Sequence, residues 1–166
     1  MNLRRFFLTF AGAGLVPKAP GTVGTLASMP LGALILYYLG PQSLLTATVA
    51  LSIIAVFEIT RYENETGIHD HASIVIDETA GVWLTMVITY HGLEMLPLPM
   101  SYAAGIGLLL SFLSFRLFDI WKPSTIGWID RNLPGGLGVM GDDILAGIAA
   151  GMLNLLLFKG AAMLLG

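Results

Sequence analysis

The chain has 166 residues, of which 55% are hydrophobic and only 11% are charged, and its mean hydropathy is +0.79. An average soluble domain carries about a quarter charged residues, so the sequence predicts a small polytopic membrane protein with a single domain over residues 1–166. The formal net charge of -3 provides no basic field, and we expect no nucleic-acid partner. Cysteine is absent, which excludes disulfides, thiolate metal sites and cysteine nucleophiles.

The N-terminal 21 residues superficially resemble a signal peptide, because Arg4 and Arg5 precede a short apolar run. The run lacks a clear A-x-A cleavage site and continues into PGTVGT, a motif that we expect to belong to the functional, uncleaved protein. We therefore interpret this stretch as an interfacial or re-entrant segment.

Five apolar segments follow, and they are predicted at residues 26–39, 44–59, 73–90, 102–118 and 144–165. Several are shorter than the roughly 20 residues of a straight membrane span, but flanking residues can snorkel and the bilayer can thin. Gly40-Pro41 and the proline-containing stretch 92–99 separate segments with typical turn residues. The predicted fold is all-α: a membrane helical bundle with about five embedded helices and a short N-terminal interfacial or re-entrant segment.

The positive charges orient this bundle. With the N-terminus inside, almost every Lys and Arg lies on the cytoplasmic side, whereas the loops at 40–43 and 91–101 contain neither residue. Only Lys159 argues weakly for the opposite orientation. The prediction is a multi-pass protein with its polar motifs on the cytoplasmic side.

The stretch IHDHASIVIDETAGVW concentrates ionisable residues at the entrance of an apolar segment. A charged side chain at the bilayer centre costs roughly 2.5–3.5 kcal/mol on insertion scales, so such residues are candidates for a functional site. A helix through this stretch would place His69, Ser73, Asp77 and Gly81 on one face, with Asp70 beside them. One stripe would then present several oxygen and nitrogen ligands.

Two acidic pairs, Asp77-Glu78 and Asp142-Asp143, each stand at the predicted start of a helix and precede small residues. Acids at helix starts also act as caps and as partners of the helix dipole, so a purely structural role stays open. Two such pairs among only 11 acidic residues favour a shared metal site, because Mg²⁺ prefers carboxylate oxygens.

Two other stretches are rich in small residues. Gly147 and Gly151 continue the Asp143 face at helical spacing, which indicates close helix packing, either inside the bundle or in a homo-oligomer. In PGTVGTLAS, the glycines 21 and 24 with Thr22 and Thr25 could offer backbone N–H groups and hydroxyls to an anion at a helix N-terminus. A plain loop with a threonine cap explains the same letters nearly as well.

The segment SFRLFDIWKPSTIGWIDRN supplies cations. Arg116 and Asp119 are three residues apart on one helical face, and Lys122 and Arg131 follow. Cations beside a carboxylate-held metal suit phosphate recognition. The alternative is a simple Arg116–Asp119 ion pair, with the tryptophans of this segment at the membrane interface.

Taken in order, APGTVGTLAS, GIHDHASIVIDETAGVW, FRLFDIWKP, IDRN and GDDILAGIAAG resemble the phosphatidylglycerophosphatase A family over residues 14–151. The resemblance implies a Mg²⁺-dependent enzyme of the bacterial inner membrane, and the positive charges predict that its active site faces the cytoplasm. It further implies that phosphatidylglycerophosphate is the lipid substrate, and that its terminal phosphate is removed to give phosphatidylglycerol in phospholipid biosynthesis.

We expect the following division of roles from the residues and the resemblance together. Mg²⁺ ligands are predicted to be Asp77, Glu78, Asp142 and Asp143. Substrate-binding residues are predicted to be Arg116, Lys122, Arg131, Thr22, Gly24 and Thr25. Catalytic residues are predicted to be His69, Asp70, Asp77, Glu78 and Asp119.

Two mechanisms stay open from the sequence: attack by metal-activated water, or attack by an aspartate that forms an acyl phosphate. The absence of a D-x-D-x-[TV] stretch favours water. The rival function is a small membrane transporter or ion carrier that uses intramembrane acids. A transporter predicts polar groups distributed through the membrane depth, whereas here they gather on one side.

Overall fold

The computed structural model describes residues 2–165, including every side chain in that range except those of Ser101, Asp130 and Leu165. Within this range the chain forms helices and a single 3₁₀ turn, Ala13–Leu15, and no strand. The all-α prediction is confirmed. The helices are α1 (Leu3–Leu8), α2 (Pro20–Leu39), α3 (Pro41–Thr66), α4 (Ile76–Leu93), α5 (Met100–Trp121), α6 (Thr125–Asn132) and α7 (Gly135–Leu165).

Four of these helices, α2, α3, α5 and α7, are long and apolar enough to cross a membrane. The remaining predicted segment, residues 73–90, corresponds to α4, which packs against all four. Thirteen of its 18 residues are buried, so α4 forms the axis of the bundle. The outer helices expose large apolar side chains to the surroundings, for example Leu34, Ile53, Leu109 and Leu156. The prediction of a membrane bundle with about five embedded helices agrees with this architecture.

Helices α2 and α7 begin six and nine residues before their predicted apolar segments, a larger difference than at the other helix starts. Helix α2 starts at Pro20, because proline at the first helical position lacks only an N–H that would have no intrahelical partner. Helix α7 starts at Gly135, and its glycines permit a close approach to α3. A Cβ atom on Gly136 would lie 2.2 Å from the Val56 carbonyl oxygen. The stretch 135–143, treated as a connection in the sequence, is therefore helical.

The predicted helical stripe of His69, Ser73, Asp77 and Gly81 is wrong. Helix α4 begins only at Ile76, and the residues immediately before it are not helical. Asp77 and Gly81 do share a helical face, but His69 and Ser73 do not belong to it.

A carboxylate from α3 organises this connection between α3 and α4. The Glu63 Oε1 atom lies 2.8 Å from His69 Nδ1 and accepts the backbone N–H of Asp70 at 3.2 Å. Asp70 adopts a left-handed conformation with φ of 46°, which is uncommon for residues other than glycine. The connection thus turns sharply at Asp70 before α4 begins.

Close contact between α4 and α7 aligns the acidic ends of both helices. A Cβ atom on Gly147 would lie 2.4 Å from the Gly81 carbonyl oxygen. The Thr85 hydroxyl oxygen lies 2.9 Å from that carbonyl oxygen and 3.1 Å from the Gly147 carbonyl oxygen. Gly151 similarly approaches Ile88. The predicted packing role of these glycines is confirmed.

The N-terminal segment packs against the end of α3. Arg4 Nε lies 3.1 Å from Glu58 Oε2 and the same side chain pairs with Glu65, whose hydrogen bond raises the pKa of the Arg4 guanidinium. The Leu8 carbonyl oxygen accepts the Val75 backbone N–H at 2.9 Å. With only six residues, α1 is too short to span a membrane. An interfacial or re-entrant position for this segment stays a prediction.

Candidate active site

A cavity of about 390 Å³ lies at the end of the bundle where α4 begins. We call it the acidic cavity. Five parts of the chain contribute to its wall: the start of α2, the connection before α4, the first turn of α4, the end of α5, and α7 between Val139 and Asp143. Its charged lining residues are Asp70, Asp77, Glu78, Arg116, Asp119, Lys122, Asp142 and Asp143. The fold therefore brings together eight charged residues from four separate parts of the sequence.

Three carboxylates form the centre of this cavity. One oxygen each from Asp77, Glu78 and Asp143 lies within 4.8 Å of the others. Asp77 and Asp143 expose only 7% and 3% of their surface. The buried atoms Asp77 Oδ1 and Glu78 Oε2 accept no hydrogen bond from the part of the chain that the structure describes. Crowded, buried carboxylates repel each other and lose hydration, so this arrangement is costly unless a cation compensates it.

The donor set suits a hard divalent cation. Mg²⁺ binds through a small number of carboxylates and keeps water or substrate phosphate as its remaining ligands, and the oxygens of Asp77 and Glu78 without hydrogen-bond donors are available for that purpose. The fourth predicted ligand, Asp142, lines the same cavity, and its Oδ2 atom lies 2.6 Å from Lys122 Nζ.

A capping role does not explain the second acidic pair. Helix α7 begins at Gly135, so Asp142 and Asp143 are its eighth and ninth residues and lie beyond its first turn. Helix α4 also has no side-chain cap, since the residue before it is Val75. The structural alternative for Asp142-Asp143 is thereby removed.

Arg116 lies between Asp119 and the carboxylate cluster. Its guanidinium pairs with Asp119, and its Nη1 atom lies 4.0 Å from Glu78 Oε1. The buried Arg116 Nε atom donates to no residue within the described range. The ion pair and the site are therefore not alternatives: Asp119 holds Arg116 at the wall of the cavity, with a donor still available.

The structure separates the remaining predicted site residues into two groups. Thr22 and Asp70 line the acidic cavity. Gly24 does not, because its Cα packs against Val75, where an added Cβ would lie 2.5 Å from the valine Cβ. Thr25 is buried in α2 and its hydroxyl donates to the Gly21 carbonyl oxygen at 2.8 Å.

Two further predicted residues lie outside the lining of this cavity. His69 is exposed and contacts Glu63, and Arg131 is exposed on α6. Their predicted roles have no geometric support in the acidic cavity.

Gly21 was considered as a backbone donor from the sequence but was left out of the predicted substrate-binding residues, and the structure places it at the site. A Cβ atom at this position would lie 2.0 Å from Glu78 Oε1 and 3.3 Å from Arg116 Nη1. The absence of a side chain lets the first turn of α2 lie directly against the carboxylate cluster. The signal was present in Pro20, which marks the first helical residue and places Gly21 in the first turn of α2.

Fold and site together define a class: a helical membrane protein with a buried acidic cavity, suited to a metal ion, at one end of its bundle. Comparison with known sequences identifies the family. The sequence profile of phosphatidylglycerophosphatase A matches residues 6–158, and the chain belongs to this family.

Similar proteins extend over most of the chain. The phosphatidylglycerophosphatase A of Escherichia coli is 41% identical over 148 residues, which are 86% of this chain and 76% of that protein. The phosphatidylglycerophosphatase A of Haemophilus influenzae is 37% identical over 139 residues, covering 84% and 78% of the two chains. A Bacteroides thetaiotaomicron protein, 34% identical over 82% of both chains, bears the provisional name of a phosphatidylinositol-3-phosphatase. No solved structure matches this chain. The protein is thus a membrane phosphatase.

Proposed function

We propose that this protein hydrolyses the terminal phosphate monoester of phosphatidylglycerophosphate and releases phosphatidylglycerol and inorganic phosphate in a Mg²⁺-dependent reaction. The observation that carries the proposal is the buried cluster of Asp77, Glu78 and Asp143 beside Arg116, in a chain of this family. The substrate follows from the names of the Escherichia coli and Haemophilus influenzae relatives.

Asp77, Glu78 and Asp143 would hold the Mg²⁺, with Asp142 beside them on α7. When bound, the ion neutralises charge on the phosphoryl oxygens, which otherwise repel a nucleophile. The ion would also offset the mutual repulsion of the buried carboxylates. Their burial is thus more costly without Mg²⁺ than with it.

Arg116 and Lys122 are the groups that we expect to bind the phosphate. Arg116 offers a planar fork of donors and Lys122 a compact charge. Each is already oriented by an acid of the cavity wall, Arg116 by Asp119 and Lys122 by Asp142. Such preorganisation lowers the entropy that substrate binding must overcome.

Asp70 is our candidate for the general base. It lines the acidic cavity and remains exposed, whereas Asp119 is buried in its pair with Arg116 and His69 lies outside the cavity lining. In the proposed reaction an oxygen of water forms a bond to phosphorus and the bond from phosphorus to the glycerol oxygen breaks. Asp70 accepts the proton of the water, and the released glycerol oxygen takes a proton from solvent.

The orientation of the bundle in the membrane is inferred from its positively charged residues. The acidic cavity lies at the end of the bundle that also carries Arg4, Arg61 and Lys122. By the positive-inside rule, we propose that this end faces the cytoplasm from the inner membrane. A lipid could then keep its acyl chains in the bilayer while its headgroup enters the acidic cavity.

Phosphate release from purified protein in detergent micelles tests the proposal. Substrates are phosphatidylglycerophosphate, phosphatidic acid and phosphatidylinositol 3-phosphate, each with Mg²⁺ or with a chelator. We expect Mg²⁺-dependent release from the first lipid and a loss of at least about 100-fold in Asp143→Asn, because a metal ligand is removed.

The matched control is Glu94→Gln, an exposed acid beyond the other end of α4 that pairs with His91. It should retain wild-type turnover. Release from phosphatidylinositol 3-phosphate alone would transfer the substrate assignment to that lipid. Release from none of the lipids under any metal condition would contradict the phosphatase proposal, and ion-flux measurements would then test the transporter alternative.

A further inference from the structure

A second polar cavity, of about 290 Å³, lies on the other side of the connection that precedes α4. Its polar lining comes from three parts of the chain: Arg5 and Thr9 of the N-terminal segment, Tyr62 near the end of α3, and His71 and Ser73 of the connection. We call it the arginine cavity. The catalytic proposal uses none of these residues.

The connection separates the two cavities by alternating its side chains. Asp70 and Ala72 line the acidic cavity, His71 and Ser73 line the arginine cavity, and Ile74 contributes to both. Of these side chains, the only carboxylate, that of Asp70, lines the acidic cavity. The lining of the arginine cavity contains a guanidinium, an imidazole and three hydroxyls, and it includes no acidic residue.

Arg5 is a cation without a carboxylate partner among the residues that the structure describes. Its neighbour Arg4 differs, because it bridges Glu58 and Glu65. The chain therefore neutralises one arginine of the pair internally and presents the other at the rim of a cavity. An anion from outside the chain is the natural complement of such a group.

His71 adds an oriented donor. Its Nδ1 atom accepts the Ser73 backbone N–H at 3.1 Å and lies 2.9 Å from the Ser73 hydroxyl oxygen. The neutral ring consequently carries its proton on Nε2, and that atom has no hydrogen-bond partner in the described range. The Tyr62 ring stands edge-on to this imidazole, with 6.0 Å between ring centroids.

Not every hydroxyl of the cavity is available. The Thr9 hydroxyl donates to the Arg5 carbonyl oxygen at 2.6 Å and accepts the Gly12 backbone N–H at 3.1 Å. Thr9 therefore fixes the turn after α1, and the Ser73 hydroxyl is engaged with His71 Nδ1. Arg5, His71 and Tyr62 remain as the donors for a ligand. Three donors around a cavity of this size match the oxygens of one phosphate group.

We propose that the arginine cavity binds a phosphate group, independently of catalysis, through Arg5, His71 and Tyr62. The group can belong to the headgroup of an anionic phospholipid or to free inorganic phosphate. Basic cavities between membrane helices commonly bind anionic headgroups near the membrane surface. The ligand would sit one residue away from Asp70, across the connection that separates the two cavities.

Binding measurements on the purified full chain in uncharged detergent test this site. The two probes are phosphatidylglycerol, measured as lipid retained in native mass spectrometry, and inorganic phosphate, measured by equilibrium dialysis. A chelator is present throughout, so that a divalent cation does not contribute to anion binding in the acidic cavity. We expect saturable binding of one phosphate group per chain, weakened about tenfold or more in Arg5→Gln.

Three variants separate the proposed site from general charge effects. Arg61→Gln removes the same charge from an exposed position on α3 that does not line the cavity, and its affinity should stay within about twofold of wild type. Arg5→Lys should recover part of the lost affinity, because the charge returns without the planar fork. Tyr62→Phe removes only a hydroxyl and should weaken binding by about threefold.

Each outcome decides the matter. Binding of the lipid alone assigns the ligand to a headgroup, and binding of both probes shows that phosphate suffices. Equal affinities in Arg5→Gln and wild type for both probes would overturn the proposal. The proposal of a separate site would also fail if Arg5→Gln raised the KM for phosphatidylglycerophosphate in micelles without other anionic lipid. Arg5→Gln should instead keep wild-type turnover. The binding measurements use no turnover, so they still test this site if the phosphatase assignment fails.

Discussion

Replacing Gly21 with alanine should damage the active site without unfolding the protein. The new Cβ atom would lie 2.0 Å from Glu78 Oε1, far inside the contact distance of non-bonded carbon and oxygen atoms. Restoring even a tight contact of 3.0 Å requires a movement of 1.0 Å, the difference between the two distances. The Glu78 carboxylate is the end of a flexible side chain, so it moves before the backbone of α2 or α4 does.

The expected loss of activity in Gly21→Ala follows from the strict coordination geometry of Mg²⁺. Mg²⁺ requires near-ideal octahedral geometry with short bonds to its oxygens, and a misplacement of about 1 Å can cost about 100-fold in rate. We therefore expect kcat/KM to fall about 100-fold in Gly21→Ala, equivalent to about 2.7 kcal/mol. The Mg²⁺ concentration for half-maximal activity should rise. Alanine also favours a helix over glycine by about 1 kcal/mol, so the thermal midpoint should not fall.

The assay combines phosphate release over a range of Mg²⁺ concentrations with thermal unfolding in the same detergent. Gly105→Ala on α5 is the matched control, since a Cβ at that position meets nothing within 4 Å. It should be indistinguishable from wild type in activity and at least as stable. A folded Gly21→Ala protein with wild-type kcat/KM and Mg²⁺ dependence would refute the proposed position and role of Glu78.

Two further substitutions examine the scaffold and the phosphate-binding side. Gly147→Ala places a Cβ 2.4 Å from the backbone carbonyl oxygen of Gly81. Because the backbone cannot move aside easily, we expect the free energy of unfolding to fall by about 1–3 kcal/mol, seen as a lower thermal midpoint. The control Gly160→Ala, on the same helix, should be neutral. An unchanged midpoint in Gly147→Ala would contradict the tight α4–α7 contact. Asp119→Asn removes the anchor of Arg116 and should raise the KM for the lipid about tenfold or more, with a smaller change in kcat. An unaltered KM would show that Asp119 does not position Arg116 for substrate.

Much of this architecture is readable from local sequence. Hydropathy and segment length predict a helical membrane bundle because lipid exposure demands long apolar helices whose backbone groups are satisfied internally. The spacing of Gly147 and Gly151 indicates close helix packing, since only small residues allow backbones to approach. The two acidic pairs stand out because charge is expensive in such segments.

Other features depend on contacts that local patterns do not encode. Helical periodicity alone favoured a stripe through His69, but a carboxylate of α3, Glu63, holds the chain in a turn there, and α4 begins at Ile76. The assembly of Asp77, Glu78 and Asp143 requires α4 and α7 to meet at Gly81 and Gly147 in one register.

The same reason explains why the sequence placed Gly24, and not Gly21, among the predicted substrate-binding residues. Both glycines lie near the start of α2, and only the packing of that helix decides that one faces Glu78 and the other Val75. Sequence determined the helices and the chemical groups available to the site. Tertiary packing decided which of those groups converge, because convergence depends on the register between helices that are distant in the chain.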